Sequence, residues 1–281
     1  MKVIHNLDLT EYNSYRLHSM AETALFPETT EEVVETVMTT NPIVIGGGCN
    51  VIFSKEIYSQ PIMFIRDNYS GIKQDGERLI VRAGTDLKIL SEYAYAHSLT
   101  GLEWYYDIPG CAGGATIMNA GCQGVSFCDF IESIRYLDCS SNKILKIDKR
   151  EAGFEYRGNI FSSIPVVILE VSLILSKGEK EAIWEKMQSN KNNRWSKQPR
   201  EYPSAGSVFK RPAGHYVGPM ITEAGLKGHR IGGAMISDKH AGFIVNCGEA
   251  TFDDILGLIT LAKSRVKQIF DVDLQLEQRI I

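Results

Sequence analysis

The chain has 281 residues, 44% of them hydrophobic and 23% charged, a balance that supports buried cores and excludes a disordered or low-complexity protein. A formal net charge of −4 argues against broad nucleic-acid binding while leaving room for a local basic pocket. The opening MKVIHNLDLT lacks the apolar core of a signal peptide, and no run approaches the roughly 18 apolar residues that cross a bilayer, so a cytoplasmic location without membrane insertion is expected. In chain order, Thr29 and Glu32 make a capping box ahead of Val33, Val34 and Val37, which predicts a helix. The short buried strand Pro42-Ile43-Val44-Ile45 follows and stops at Gly46-Gly47-Gly48. Strands are predicted over Ile62–Ile65, Leu79–Ala83 and Val166–Leu169, and Thr85 is placed to cap a helix carrying Leu87, Leu90 and Ala94. The passage from Ile108 to Gly124 holds too much glycine for a helix interior. A polar helix over 179–192 leads to a loop at Lys197-Gln198-Pro199, and a last helix starts at Thr251 with the apolar stripe Ile255, Leu258, Ile259, Ala262, Val266, Ile269 and Phe270. The tail from Val272 to Ile281 reads as strand-like.

Six scattered cysteines include no C-x-x-C pair, so free thiols are expected and no metal site is assigned. The two glycine passages carry the chemistry. Gly46-Gly47-Gly48-Cys49-Asn50 ends a strand, and consecutive glycines let backbone N–H groups converge on an anion. A tight turn is the competing reading. The passage fits neither a dinucleotide-binding G-x-G-x-x-G nor a phosphate-binding loop ending in Gly-Lys-Ser/Thr. The second passage, Ile108-Pro109-Gly110-Cys111-Ala112-Gly113-Gly114-Ala115-Thr116-Ile117-Met118-Asn119-Ala120-Gly121, is too apolar for a solvated loop. Two such passages on neighbouring α/β portions suggest a dinucleotide held by both.

Six segments, in order along nearly the whole chain, resemble the UDP-N-acetylenolpyruvoylglucosamine reductase family: IGGGCNVI, GLEWYYDIPGCAGGATIMNAG, FEYRGNIF, PSAGSVFKRP, AGLKGHRIGGAMISDKHAGFIVN and LQLEQRII. The short spacing between Arg157 and Ser207 is similar to the class that lacks an insertion before the serine. Cys49 stands where serine is common in the family, Gln123 where an aromatic or histidine is common, and Arg211 where asparagine is common. Gly158-Asn159 after Tyr156-Arg157 and the segment Arg16–Met20 also depart from the usual pattern.

The resemblance implies an α+β fold. Two α/β subdomains would form a vanillyl-alcohol-oxidase-type (PCMH) FAD-binding portion, 1–66 joined by the tail 271–281 and 67–178, with a separate substrate-binding domain over 179–270. It implies an FAD-dependent oxidoreductase that reduces UDP-N-acetylglucosamine enolpyruvate to UDP-N-acetylmuramate, with non-covalent FAD and NADPH as hydride donor. Cofactor contacts would come from Ile45, Gly46, Gly47, Gly48, Cys49, Asn50 and Val51, and from Pro109, Gly110, Cys111, Gly113, Gly114, Ala115, Asn119 and Gly121. Arg157 would clamp the substrate carboxylate, since its planar fork matches two oxygens. Glu277 would assist at the developing enolate and needs a raised pKa or a cationic partner to do so. Ser207 would deliver the proton. Tyr156, Lys197, Lys210, Arg211, Lys227, His240 and Arg279 would line the substrate pocket. A monomer is expected, with no nucleic-acid partner. The rival readings are another oxidoreductase of the same flavin fold, a non-catalytic UDP-sugar binder, and a plain α/β domain with structural glycines.

Overall fold

The computed structural model describes every residue from Met1 to Ile281. The chain divides into two units, each discontinuous in sequence: Met1–His5, Glu22–Gly47 and Ser59–Asn192 make the first, and Asn6–Ala21, Gly48–Tyr58 and Asn193–Ile281 the second. Segments 6–21 and 48–58 therefore group with the C-terminal third of the chain. The parallel pairing of Val51–Ile52 with Arg279–Ile280 binds part of them there.

In the first unit, Ile62-Met63-Phe64 is buried at all three positions, as suits a parallel strand covered on both faces. It lies between the strands Met20–Phe26 and Ile43–Ile45, parallel to both. Helix α1 (Thr30–Thr40) is capped by the Thr29 hydroxyl, which accepts from the Glu32 N–H at 3.2 Å. The predicted box stays half-formed, because the Glu32 carboxylate turns to the Glu28 N–H at 2.7 Å and to the Met1 ammonium. A second, wholly antiparallel sheet runs in the order Lys143–Asp148, Ile131–Asp138, Val166–Ile174, Arg78–Arg82, Ile72–Asp75. One core joins these layers: Leu79, Val81, Leu169, Val171 and Leu173 of the sheet pack with Leu87, Leu90 and Ala94 of helix α2 (Leu87–Ala96). Each leucine and valine among them contributes about 1.5–3 kcal/mol on burial.

Two local expectations are corrected here. The cap of α2 is Asp86, not Thr85: Asp86 accepts from the Lys88 and Ile89 N–H groups, while the Thr85 hydroxyl donates to the Gly71 carbonyl. A short helix, α3 (Ala112–Met118), forms inside the glycine-rich passage. Tertiary contacts override its poor propensity. Its first turn is pinned by N–H bonds from Ala112 to Thr85 and from Gly113 to Ala83, and its last carbonyls accept from the Asn159 amide.

Helix α4 (Lys180–Lys197) leaves the first unit at Asn192 and ends later than the polar pattern predicted. The second unit holds the antiparallel strands Arg230–Ile231, Ala234–Ile236 and Ile244–Asn246, with the short helix α5 (Val217–Glu223) and helix α6 (Phe252–Phe270). The predicted stripe of α6 is buried at Ile255, Leu258, Ile259, Ala262 and Val266 and anchors a separate core, while Ile269 is 47% exposed and lies outside it. Thr251 and Asp254 close a full capping box. The tail is strand only at Arg279–Ile280, with a further isolated bridge from Leu276 to Phe209.

Candidate active site

The glycine passages of the first unit meet at one atom. Cys111, the N-cap of α3, is buried, and its Sγ lies 2.8 Å from where a Cβ on Gly46 would stand and 3.6 Å from the corresponding position on Gly114. The backbone N–H groups of Gly47 and Gly114 approach the same thiol, whose pKa burial pushes up, so it stays protonated. Ile45 is buried at the end of its strand, which places Gly46 and Gly47 at the carboxyl ends of parallel strands, where α/β folds gather ligands. Gly113 does a different job. Its N–H is spent on the Ala83 carbonyl at 2.8 Å, and a Cβ there would fall 2.8 Å from that of Ala83. Pro109 and Gly110 lead into the cap, and the Gly110 carbonyl accepts from the Leu87 N–H at 3.0 Å. The fit to a flavin dinucleotide rests on two side-chain-poor backbone stretches that lie together around Cys111.

The far end of α3 holds Arg157. Tyr156 and Arg157 form the tip of a turn closed by paired backbone bonds between Glu155 and Gly158. Arg157 has φ +54°, uncommon for a side chain of its size. Its Nη1 donates to the Asn119 carbonyl at 3.1 Å and its Nη2 to the Gly121 carbonyl at 2.8 Å, and its guanidinium lies 5.1 Å from the Tyr156 ring centroid. Asn119, in the left-handed region at the end of α3, donates to the Glu155 carbonyl at 2.8 Å and accepts from the Cys128 N–H at 3.2 Å. The arginine turn and the glycine passage are thus one hydrogen-bonded block. Gln123 and Gly124 occupy the two left-handed positions of the Gly121–Ser126 hairpin. Asn159, noted in the sequence only as a departure from the family pattern and given no role there, ties the block to α3.

In the second unit, Gly48 has φ +69°, and its backbone runs so close to Tyr12 that any Cβ would strike the Tyr12 carbonyl. Beyond Cys49, the Asn50 side chain donates to the Glu277 carbonyl at 3.1 Å, and the Asn50 carbonyl accepts from the Arg279 N–H at 2.9 Å. Val51 pairs with Arg279. Ser207 is exposed, on a segment flanked on both sides: it bridges Phe243, and next to it the Val208 carbonyl accepts from the Glu277 N–H at 2.8 Å. The fold therefore carries Ser207 and Glu277 on adjacent, hydrogen-bonded backbone. Lys210 follows, its N–H on the Gln275 carbonyl at 2.8 Å, and the Arg211 guanidinium sits 3.9 Å from the Tyr216 ring centroid. His240 is half-buried, its Nδ1 accepts from the Gly242 N–H at 3.1 Å, and its ring stacks edge-on against Phe243. Burial lowers its pKa, so it is a neutral imidazole that carries its proton on Nε2. Lys197 and Lys227 are exposed. Of the three proposed reaction residues, Arg157 belongs to the first unit and Ser207 and Glu277 to the second.

The first unit's architecture is that of a PCMH-type flavin-binding protein, and residues 21–148 match a family described as FAD binding domain. Residues 198–281 match the C-terminal domain of UDP-N-acetylenolpyruvoylglucosamine reductase. The chain is 40% identical over 282 residues to the enzyme of that name from Lactobacillus gasseri, covering 98% of this chain and 93% of that protein. It is 35% identical over 285 residues to the one from Caldanaerobacter subterraneus, covering 100% and 94%. The crystal structure of the Thermus caldophilus reductase superposes with a TM-score of 0.84 at 30% identity, covering 100% of this chain and 99% of that one. The chain belongs to the UDP-N-acetylenolpyruvoylglucosamine reductase family.

Proposed function

We propose that this chain is the FAD-dependent oxidoreductase that converts UDP-N-acetylglucosamine enolpyruvate to UDP-N-acetylmuramate at the expense of NADPH, in peptidoglycan precursor synthesis. The observation that carries the residue assignments is the pairing of the Ser207 segment with that of Glu277. When bound, FAD supplies the hydride relay between NADPH and the enolpyruvyl group. The cofactor contacts implied by the resemblance between Ile45 and Val51 and between Pro109 and Gly121 would hold it, Gly46, Gly47 and Gly114 by leaving the approach free of side chains and Asn50 through its grip on the Glu277 strand. Gly113 acts as the spacer that lets α3 approach Ala83.

Hydride addition to the terminal carbon of the enol ether drives negative charge onto the substrate carboxylate. Arg157 meets that charge: the turn around it is fixed by Asn119 and Gly121, so little reorganisation is needed when the charge develops. Glu277 shares the enolate site, and Ser207 gives its hydroxyl proton to the carbon bearing the charge. His240 donates from Nε2 as a neutral group, and Tyr156, Lys197, Lys210, Arg211, Lys227 and Arg279 complete the surroundings of the nucleotide sugar. The three portions 1–66 with 271–281, 67–178 and 179–270 are retained as the functional division, and the chain is read as a cytoplasmic monomer. No helix is long and apolar enough to cross a membrane.

The test separates the two half-reactions. Ser207→Ala should leave flavin reduction by NADPH within about threefold of the parent and slow reoxidation by the enolpyruvyl substrate by about 10²–10⁴-fold in stopped-flow absorbance. Equal losses in both steps would remove Ser207 from proton delivery.

A further inference from the structure

Between the two family positions Glu277 and Arg279 stands Gln278, 3% exposed, whose side chain turns inward. Its Nε2 donates to two successive carbonyls, Ala205 at 3.1 Å and Gly206 at 3.2 Å, which immediately precede Ser207. Its Oε1 accepts from the Tyr15 hydroxyl at 3.0 Å, and Tyr15 is fully buried. The Tyr15 carbonyl in turn accepts from the Asn246 amide at 2.8 Å, and the Asn246 N–H donates to the Pro203 carbonyl at 2.9 Å. Every polar atom of the Gln278 amide is thus engaged, the donor on the two carbonyls before Ser207 and the acceptor on the buried Tyr15 hydroxyl. Burial pushes the Tyr15 phenol far above its ordinary range, so it remains a donor throughout the working pH range.

The loop needs such a clamp. Gly206 has φ +79°, with nothing near its Cβ position to hold it by packing. Ser207 itself is exposed, and its backbone is tied on the C-terminal side by Val208. On the N-terminal side the side chain that holds the Ala205 and Gly206 carbonyls is that of Gln278. We propose that Gln278, held by Tyr15, is a positioning residue for Ser207, setting the serine loop for protonation of the substrate carbon. This rests on the reading of Ser207 as proton donor.

Buried amides whose partners are lost leave carbonyls unsatisfied, so the effect of truncation should be local and large. In the flavin-loaded enzyme, Gln278→Leu is expected to leave NADPH-driven flavin reduction within about threefold while slowing reoxidation about 10–100-fold. The dissociation constant of the enolpyruvyl substrate for oxidised enzyme should change less than about threefold. Amide hydrogen exchange over residues 204–210 should speed up about tenfold or more, with α6 unchanged. Tyr15→Phe, which keeps the ring and removes one donor, should move each readout the same way by a smaller factor. It carries the test if Gln278→Leu does not fold.

The double variant Ser207→Ala/Gln278→Leu separates the two claims. If Gln278 acts through Ser207, the second substitution adds under threefold to the reoxidation defect of the first. Full additivity, or parallel loss in both half-reactions, overturns the positioning role while leaving the serine assignment standing. Normal reoxidation in Ser207→Ala alone overturns the serine assignment and this proposal with it.

Discussion

Arg157 shows how a side chain with a proposed role in the reaction is held at some energetic cost. A left-handed backbone at a residue with a long side chain costs on the order of 1–2 kcal/mol, and the cost is offset here by two guanidinium bonds to the Asn119 and Gly121 carbonyls. The carbonyl at Asn119 closes α3, so the guanidinium also meets the negative end of a short run of peptide dipoles. Lysine keeps the charge but cannot span two carbonyls and a carboxylate with one nitrogen. Arg157→Lys is therefore expected to slow substrate-driven reoxidation by about 10²–10³-fold. The melting temperature should fall by only a few degrees, roughly the loss of one charged hydrogen bond. Stopped-flow and thermal unfolding on the same preparation check both statements. Cys111 makes the opposite case at the same scale. It lies where a covalent flavin link could be imagined, yet it is buried, protonated and packed against the Gly46 backbone.

At the scale of elements, α3 and the His240 turn hold residues of the proposed site. Because Gly113 lets α3 touch Ala83, Gly113→Ala should overpack this contact and cost about 1–3 kcal/mol in denaturant unfolding. Weaker FAD retention on gel filtration should accompany the loss. An unchanged midpoint and full flavin content would show that the helix can shift at no cost. His240 brings a pH dependence. Its folded pKa is lowered by burial, so below the ordinary histidine value near 6.5 the unfolded chain binds a proton that the folded chain resists. Stability from this group is therefore fully present above about pH 6.5 and falls as pH drops toward the depressed folded value. Thermal unfolding from pH 7.5 to 5.5 should show that decline, and His240→Gln should flatten it.

For the whole molecule, two separate cores support the chain, one under the antiparallel sheet and one around α6. A ligand that binds only the folded protein raises its apparent stability by mass action, about 2.7 kcal/mol at a hundredfold excess over the dissociation constant. Flavin-stripped protein should accordingly melt lower than the yellow form, and added FAD should restore the difference. Since Cys111 is read as a packing residue and FAD as non-covalent, acid precipitation should leave all the yellow colour in the supernatant. Colour in the pellet would mean a covalent link.

The sequence by itself determined which elements exist wherever a periodic apolar pattern or a capping residue acts locally. The α6 stripe with its Thr251–Asp254 box, the Ile43–Ile45 strand and the Ile62–Phe64 strand are all decided within a few residues. The ordered motifs likewise fixed the family, and with it the flavin chemistry. What only the tertiary structure decided are features made by partners distant in sequence. Poor helix formers became α3 because Ala83, Thr85 and Asn159 hold both of its ends. The cap of α2 moved to Asp86 because Gly71 claimed the Thr85 hydroxyl. Gln278, unremarkable in a string of polar residues, became the clamp of the serine loop through Tyr15, 263 positions away. Local propensity is a matter of fractions of a kcal/mol per residue, whereas a buried donor or acceptor left unpaired costs about 1–3 kcal/mol, so long-range pairing settles such sites and cannot be read from neighbours in the chain.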